Sequence, residues 1–233
     1  MNPQFVVLGV IWYIVFLLST TCHEGAHALV SHLGGDPTAM HGGQVSLNPL
    51  PHIMREPFGT VVVPWLTYIL PPHFMLGWAS APYDPAWEER HPHRAAWMAL
   101  AGPAANFTLA AIAAIGIRVG IALRYFRVPD EASFAHVTAA TSAGTPEFAA
   151  TFLSILYVLN VLLGTFNLLP VPPLDGHAGI TALMSEDSAR RFLAWSRNMG
   201  FGFAGLLLAW VLYDQVFGYI FRFSLSLLYP GAF

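Results

Sequence analysis

The chain has 233 residues, of which 55% are hydrophobic and only 10% charged, with a formal net charge of −3. Soluble globular domains carry about 25% charged residues, so this composition excludes an ordinary soluble enzyme. Every strong cation is an arginine and none a lysine, and the mildly acidic balance gives no sign of a nucleic-acid partner. The single cysteine, Cys22, excludes an intrachain disulfide framework and reads as a buried, inert thiol.

A bilayer core takes about 20 predominantly apolar residues per helix. Residues 5–22, 57–83, 95–117 and 148–174 contain no Asp, Glu or Arg, and 198–221 is interrupted only by Asp214. The first predicted helix covers 4–33. No positive residue precedes it, so it is expected to be retained rather than cleaved as a leader. Gly34, Gly35 and Pro37 stop it. Residues 38–48 combine Gly42-Gly43 with the alternation of Gln44-Val45-Ser46-Leu47, which predicts a short β-hairpin.

Residues 57–83 are long enough to span once, but Pro64, Pro71 and Pro72 interrupt them. Each proline removes a backbone donor and clashes with the preceding turn. In lipid such a break must be buried in protein or line a wet cavity, so a re-entrant segment or hairpin is expected. Residues 84–94 form a polar connector. A helix over 95–117 follows, then a loop over 118–147. The next helix, 148–169, is broken by Pro170, Pro172 and Pro173 just before Asp175. The last span is predicted over 198–221. No repeat is visible. The expectation is therefore one α-helical polytopic membrane domain, 1–233, with its core in 4–185. It has about four full spans plus the re-entrant segment and the hairpin.

His23-Glu24-Gly25-Ala26-His27 is an H-E-x-x-H pattern. On a helix, positions i and i+4 share a face, so His23 and His27 can hold one zinc ion while Glu24 acts as the base on a water. An ionisable group at membrane depth is costly and points to function. Catalytic zinc keeps three protein ligands. Val30 and Leu33 stand where the soluble metzincin extension needs Gly and His, which excludes that class. His32 lies about 140° round the helix from His27 and is a poor ligand. Asp175 is the strongest third candidate, at even odds against Glu56, His177, Glu147 and Asp214 together.

HEGAH at 23–27, Ala101-Gly102-Pro103-Ala104-Ala105-Asn106, and the stretch Phe166-Asn167-Leu168-Leu169-Pro170 to Leu174-Asp175-Gly176 together resemble the site-2 protease family of intramembrane zinc metalloproteases. Leu47 to His52, Phe58-Gly59-Thr60 and Gly77-Trp78-Ala79 resemble its compact bacterial branch, which lacks PDZ and CBS domains. The resemblance implies that Asp175 is the third zinc ligand and Glu24 the general base. It also implies that Asn106, Asn160 and Asn167 line the site or hold substrate, hydrogen bonding between helices being the alternative. It implies transmembrane or membrane-associated protein substrates, a role in regulated intramembrane proteolysis and a bacterial inner-membrane location. Ser80-Ala81-Pro82-Tyr83 and Met54 depart from the pattern of many relatives.

Placing the three motifs at one depth requires 57–83 to enter and leave by the same face. Arg55, Arg90, Arg94, Arg190, Arg191 and Arg197 then share the catalytic side, against Arg118, Arg124, Arg127 and Arg222 opposite. That balance favours a cytoplasmic catalytic side. The competing expectations are a metal-binding transporter and a non-catalytic scaffold.

Overall fold

The computed structural model describes residues 2–71, 73–198 and 202–231. Four of its helices are long and apolar enough to cross a membrane: α1 (Pro3–Leu33), α6 (Pro92–Ala122), α7 (Thr145–Asn167) and most of α10 (Gly202–Leu228). Between them lie short helices α2 (Thr38–His41), α3 (Pro49–Arg55), α4 (Val63–Ile69) and α5 (Pro85–Arg90), then α8 (Asp175–Gly179) and the surface helix α9 (Glu186–Asn198). The expected polytopic helical architecture is present, with the last span shifted towards the C-terminus relative to 198–221.

Helix α6 packs between α1 and α7. Its contact residues are small, with Ala110 and Ala113 in the shared core beside Val15 and Phe16 of α1 and Ile155, Val158 and Leu159 of α7. Small side chains let helix backbones approach closely where lipid supplies no hydrophobic drive. Pro103 is tolerated inside α6, where it is buried against neighbouring elements.

Residues 57–83 are not a single span. A π turn over Phe58–Val62 leads into α4, which ends at Ile69. Leu70, the residue before Pro71, is extended (φ −85°, ψ 144°), as crowding by the proline ring requires. The chain then runs back as an extended arm over 74–84. Trp78 N donates to Gly59 O (3.2 Å), and Leu76 N donates to Thr67 Oγ1 (3.0 Å). The arms touch so closely that a Cβ on Gly77 would lie 2.2 Å from Gly59 O. Both ends close on one side: Arg55 Nε donates to Ser80 Oγ (3.1 Å), which donates to Glu56 Oε1 (2.7 Å). The topological demand of the sequence is met, although Pro72 itself lies outside the described residues.

The β-hairpin expected over 38–48 does not form there. Asp36 starts a helical turn instead, because its Oδ1 accepts Thr38 N (3.0 Å) while Oδ2 accepts the distant Asp84 N (2.9 Å). Gly42 and Gly43 (φ 72°) end that turn, with Gln44 N bonded to Ala39 O (3.0 Å). The short antiparallel pair lies in the connector read as loop, where β1 (Phe126–Arg127) meets β2 (Ala139–Ala140).

Candidate active site

His23, Glu24 and His27 are buried in the C-terminal half of α1 (7%, 7% and 8% exposed). Their helical spacing brings His23 Nε2 within 3.0 Å of His27 Nε2. The polyproline turn after α7 delivers Asp175, the first residue of α8, to the same point. Asp175 Oδ2 lies 3.0 Å from His23 Nε2, and Oδ1 lies 3.3 Å from His27 Nε2. Gly176 makes this delivery possible, since a Cβ there would sit 2.2 Å from Leu168 O.

The other nitrogen of each imidazole is already committed. His27 Nδ1 faces Met98 O (2.7 Å) and His23 Nδ1 faces Asn106 Oδ1 (2.6 Å). A carbonyl oxygen only accepts, so in the neutral rings both protons sit on Nδ1 and both Nε2 atoms carry lone pairs. Two imidazole lone pairs and a carboxylate thus converge. Asp175 Oδ2 has no hydrogen-bond partner despite its 3.0 Å approach to His23 Nε2, as expected of two acceptors. A cation bound here would resolve this repulsion. Donors 2.0–2.2 Å from a tetrahedral zinc lie about 3.3–3.5 Å apart, close to the spacing found.

Gly102 of α6 leaves room for the two imidazoles themselves. A Cβ on Gly102 would lie 2.4 Å from His27 Nε2 and 2.5 Å from His23 Nε2. The glycine therefore does more than ease helix packing, which is all the sequence alone suggests for it.

Asn106 and Asn160 have no exposed surface (0% each). Their amides point at His23 and at each other rather than at the cavity, with Asn106 Nδ2 donating to Asn160 Oδ1 (2.8 Å). The substrate-facing role expected of this pair does not fit that burial; hydrogen bonding between helices does. Asn167 is half-buried and donates to Leu163 O (3.0 Å). Glu56, Glu147 and Asp214 lie away from the cluster, bonded to Ser80, in the first turn of α7 and on the exposed side of α10 respectively. His177 lines the cavity without joining the cluster. Sequence reasoning missed Met98, whose role is played by a backbone carbonyl and leaves no side-chain signature.

A cavity of about 470 Å³ opens from the cluster, bounded by Glu24, Asp175, the arm residues Ala79 to Ala81, and α9. Helix α9 is held over it by Arg197, which bridges Glu88 Oε2 and Glu89 Oε1 (3.1 Å each). Burial raises the Glu88 carboxyl above its usual 4.5, against the pull of Arg197. The folded form therefore holds the Glu88 proton more tightly than the unfolded form. Glu88's contribution to stability is complete below pH 4.5 and is lost as pH rises through its elevated titration. Thermal unfolding in detergent should show this decline above pH 4.5, and Glu88→Gln should flatten it.

Residues 11–212 match the model of peptidase family M50. The chain belongs to this family, which is the site-2 protease family. Over 191 residues it is 32% identical to a protein of Bacillus subtilis (strain 168) named "Putative zinc metalloprotease YwhC", covering 78% of this chain and 76% of that one. No solved structure matches. The chain is thus a metalloendopeptidase and an integral membrane protein, and its family implies zinc.

Proposed function

We propose that this M50 metalloprotease hydrolyses peptide bonds in transmembrane or membrane-associated segments of other proteins, serving regulated intramembrane proteolysis. It does so with one zinc ion held by His23, His27 and Asp175. The observation that carries the reading is depth. Glu24 stands nine residues before the end of the apolar helix α1, about 14 Å inside it. A bond cleaved there must itself reach into the bilayer.

Zinc in such a site polarises the scissile carbonyl and makes water acidic enough to attack at neutral pH. The protein does the rest. Glu24, at the cavity wall, takes the proton from the attacking water and passes it to the leaving amine. Asp175 and the two imidazoles present lone pairs in a fixed geometry. The hairpin and α9 wall the cavity.

A substrate helix must unwind before its carbonyls can react. The extended arm at Ala79 to Ala81 lines the cavity and offers backbone to an unwound segment, as an added strand would use it. Ala79→Pro removes one backbone donor. It should lower cleavage about tenfold, the weight of roughly 1.4 kcal/mol for one hydrogen bond, while zinc content stays unchanged. Undiminished cleavage would remove the pairing argument. Asn167, half-buried beside the polyproline turn, is the remaining asparagine candidate for substrate contact.

The arginine balance supports a cytoplasmic catalytic face, and the family resemblance supports a bacterial inner membrane. The decisive experiment co-expresses the protease with single-span proteins and maps each new terminus, with Glu24→Gln as control. Cleavage inside the span, absent in the control, supports the proposal. Cleavage confined to soluble loops far from the membrane sinks it.

A further inference from the structure

Three membrane-crossing helices join in one buried chain of hydrogen bonds that ends at the metal cluster. It begins on α7, where Asn160 Nδ2 donates to its own helix at Leu156 O (2.8 Å) and to Ser19 Oγ of α1 (2.8 Å). Ser19 spends its own proton on Val15 O (2.7 Å). Both partners of this amide nitrogen therefore accept. The Leu156 carbonyl cannot donate, so the Asn160 amide has one favourable orientation. Its Oδ1 must face Asn106.

That oxygen demands a donor, and Asn106 Nδ2 supplies it (2.8 Å). The orientation of Asn106 on α6 follows. Its Oδ1 faces His23 Nδ1 (2.6 Å), and an amide oxygen demands N–H there. With the proton on Nδ1, Nε2 is left with its lone pair towards Asp175 and His27. Each link is between side chains without exposed surface or nearly so, where a reversed amide would bury two facing acceptors at a cost of about 1–3 kcal/mol.

We propose that Asn160, acting through Asn106, sets the tautomer of His23 and so makes its Nε2 a metal ligand. Both asparagines are positioning residues. His27 needs no such relay, because Met98 O, a backbone carbonyl, sets its tautomer directly. This inference rests on the zinc-protease reading. It adds that the readiness of the site for metal is decided on a helix that contributes no ligand.

The experiment measures zinc affinity by chelator competition on purified full-length protein. It also records nitrogen-15 imidazole spectra of the metal-free protein, in which the two tautomers have distinct shifts. In Asn160→Leu the Asn106 amide loses the acceptor that orients it and is free to turn its nitrogen to His23. Zinc affinity is expected to fall 10- to 100-fold, the usual range for losing such a supporting partner. The His23 signal is expected to move towards the Nε2–H form.

Adding Asn106→Asp to Asn160→Leu separates positioning from packing. A carboxylate at 106 can only accept, so it holds the Nδ1–H tautomer without help from 160. Most of the lost affinity should return. A purely structural role predicts the opposite, since the double variant puts a charge beside an apolar replacement. Equal zinc affinity in wild type and Asn160→Leu overturns the relay alone, as does a double variant no better than Asn160→Leu. A wild type that holds no zinc overturns the metal reading along with it.

Discussion

Gly102→Ala is expected to abolish zinc binding and with it peptide hydrolysis, by at least a thousandfold, about 4 kcal/mol of transition-state stabilisation. The reason is steric and local. The new methyl would start 2.4 Å from His27 Nε2, 2.5 Å from His23 Nε2 and 2.6 Å from His23 Cε1, pressing on the rings that would hold the ion. Carbon and imidazole cannot share that volume, so the two Nε2 atoms would lose the placement a metal needs. Neither imidazole can retreat without breaking its Nδ1 bond to Met98 O or Asn106 Oδ1. The check is zinc content per chain beside cleavage of a single-span substrate, on protein that elutes as a single species. If Gly102 only eases the packing of α6 on α1, a folded Gly102→Ala protein will keep its zinc and cleave. That outcome would refute the role of Gly102 in placing the two imidazoles.

Glu24→Gln should lower kcat by 10² to 10⁴, the span of general acid–base catalysis, while zinc content and substrate capture stay near wild type. The amide matches the carboxylate in shape but cannot take a proton. Glu24 lines the cavity beside Asp175 and is buried, so no solvent base stands ready to replace it. The pair of variants is informative together. Gly102→Ala removes the ion and the chemistry at once, whereas Glu24→Gln removes the chemistry and leaves the ion. A Glu24→Gln protein that cleaves at the wild-type rate would move the proton transfer elsewhere, with His177, on the same cavity wall, next to be tested.

Several features were legible along the chain because local rules decide them. A predominantly apolar run ending at Gly34-Gly35 sets the first helix to within a residue of its observed bounds. Three prolines forbid a plain span over 57–83, and the hairpin follows. The alternation at 44–47 misled, because four residues beside Gly-Gly satisfy a strand pattern and a helix-ending turn equally well. Asp36 starts the turn by accepting Thr38 N, and the bond from Asp84 N, 48 residues away, which holds that carboxylate in place, is invisible to local pattern. Asp175 shows the same limit. Spacing alone left it level with Glu56, His177, Glu147 and Asp214, and only the turn after α7 brings it, rather than them, to the histidines.

The sequence by itself therefore determined the kind of molecule and its chemistry: an apolar chain that crosses the membrane, two imidazoles on one helical face, and a carboxylate between them. These follow from periodicity and side-chain chemistry, which act over a few residues. Tertiary structure alone decided which nitrogen of each imidazole faces Asp175, what room the two rings have, and what the buried asparagines do. Those depend on contacts between residues 83, 71 and 54 positions apart, where hydrogen-bond polarity, rather than pattern, selects the arrangement.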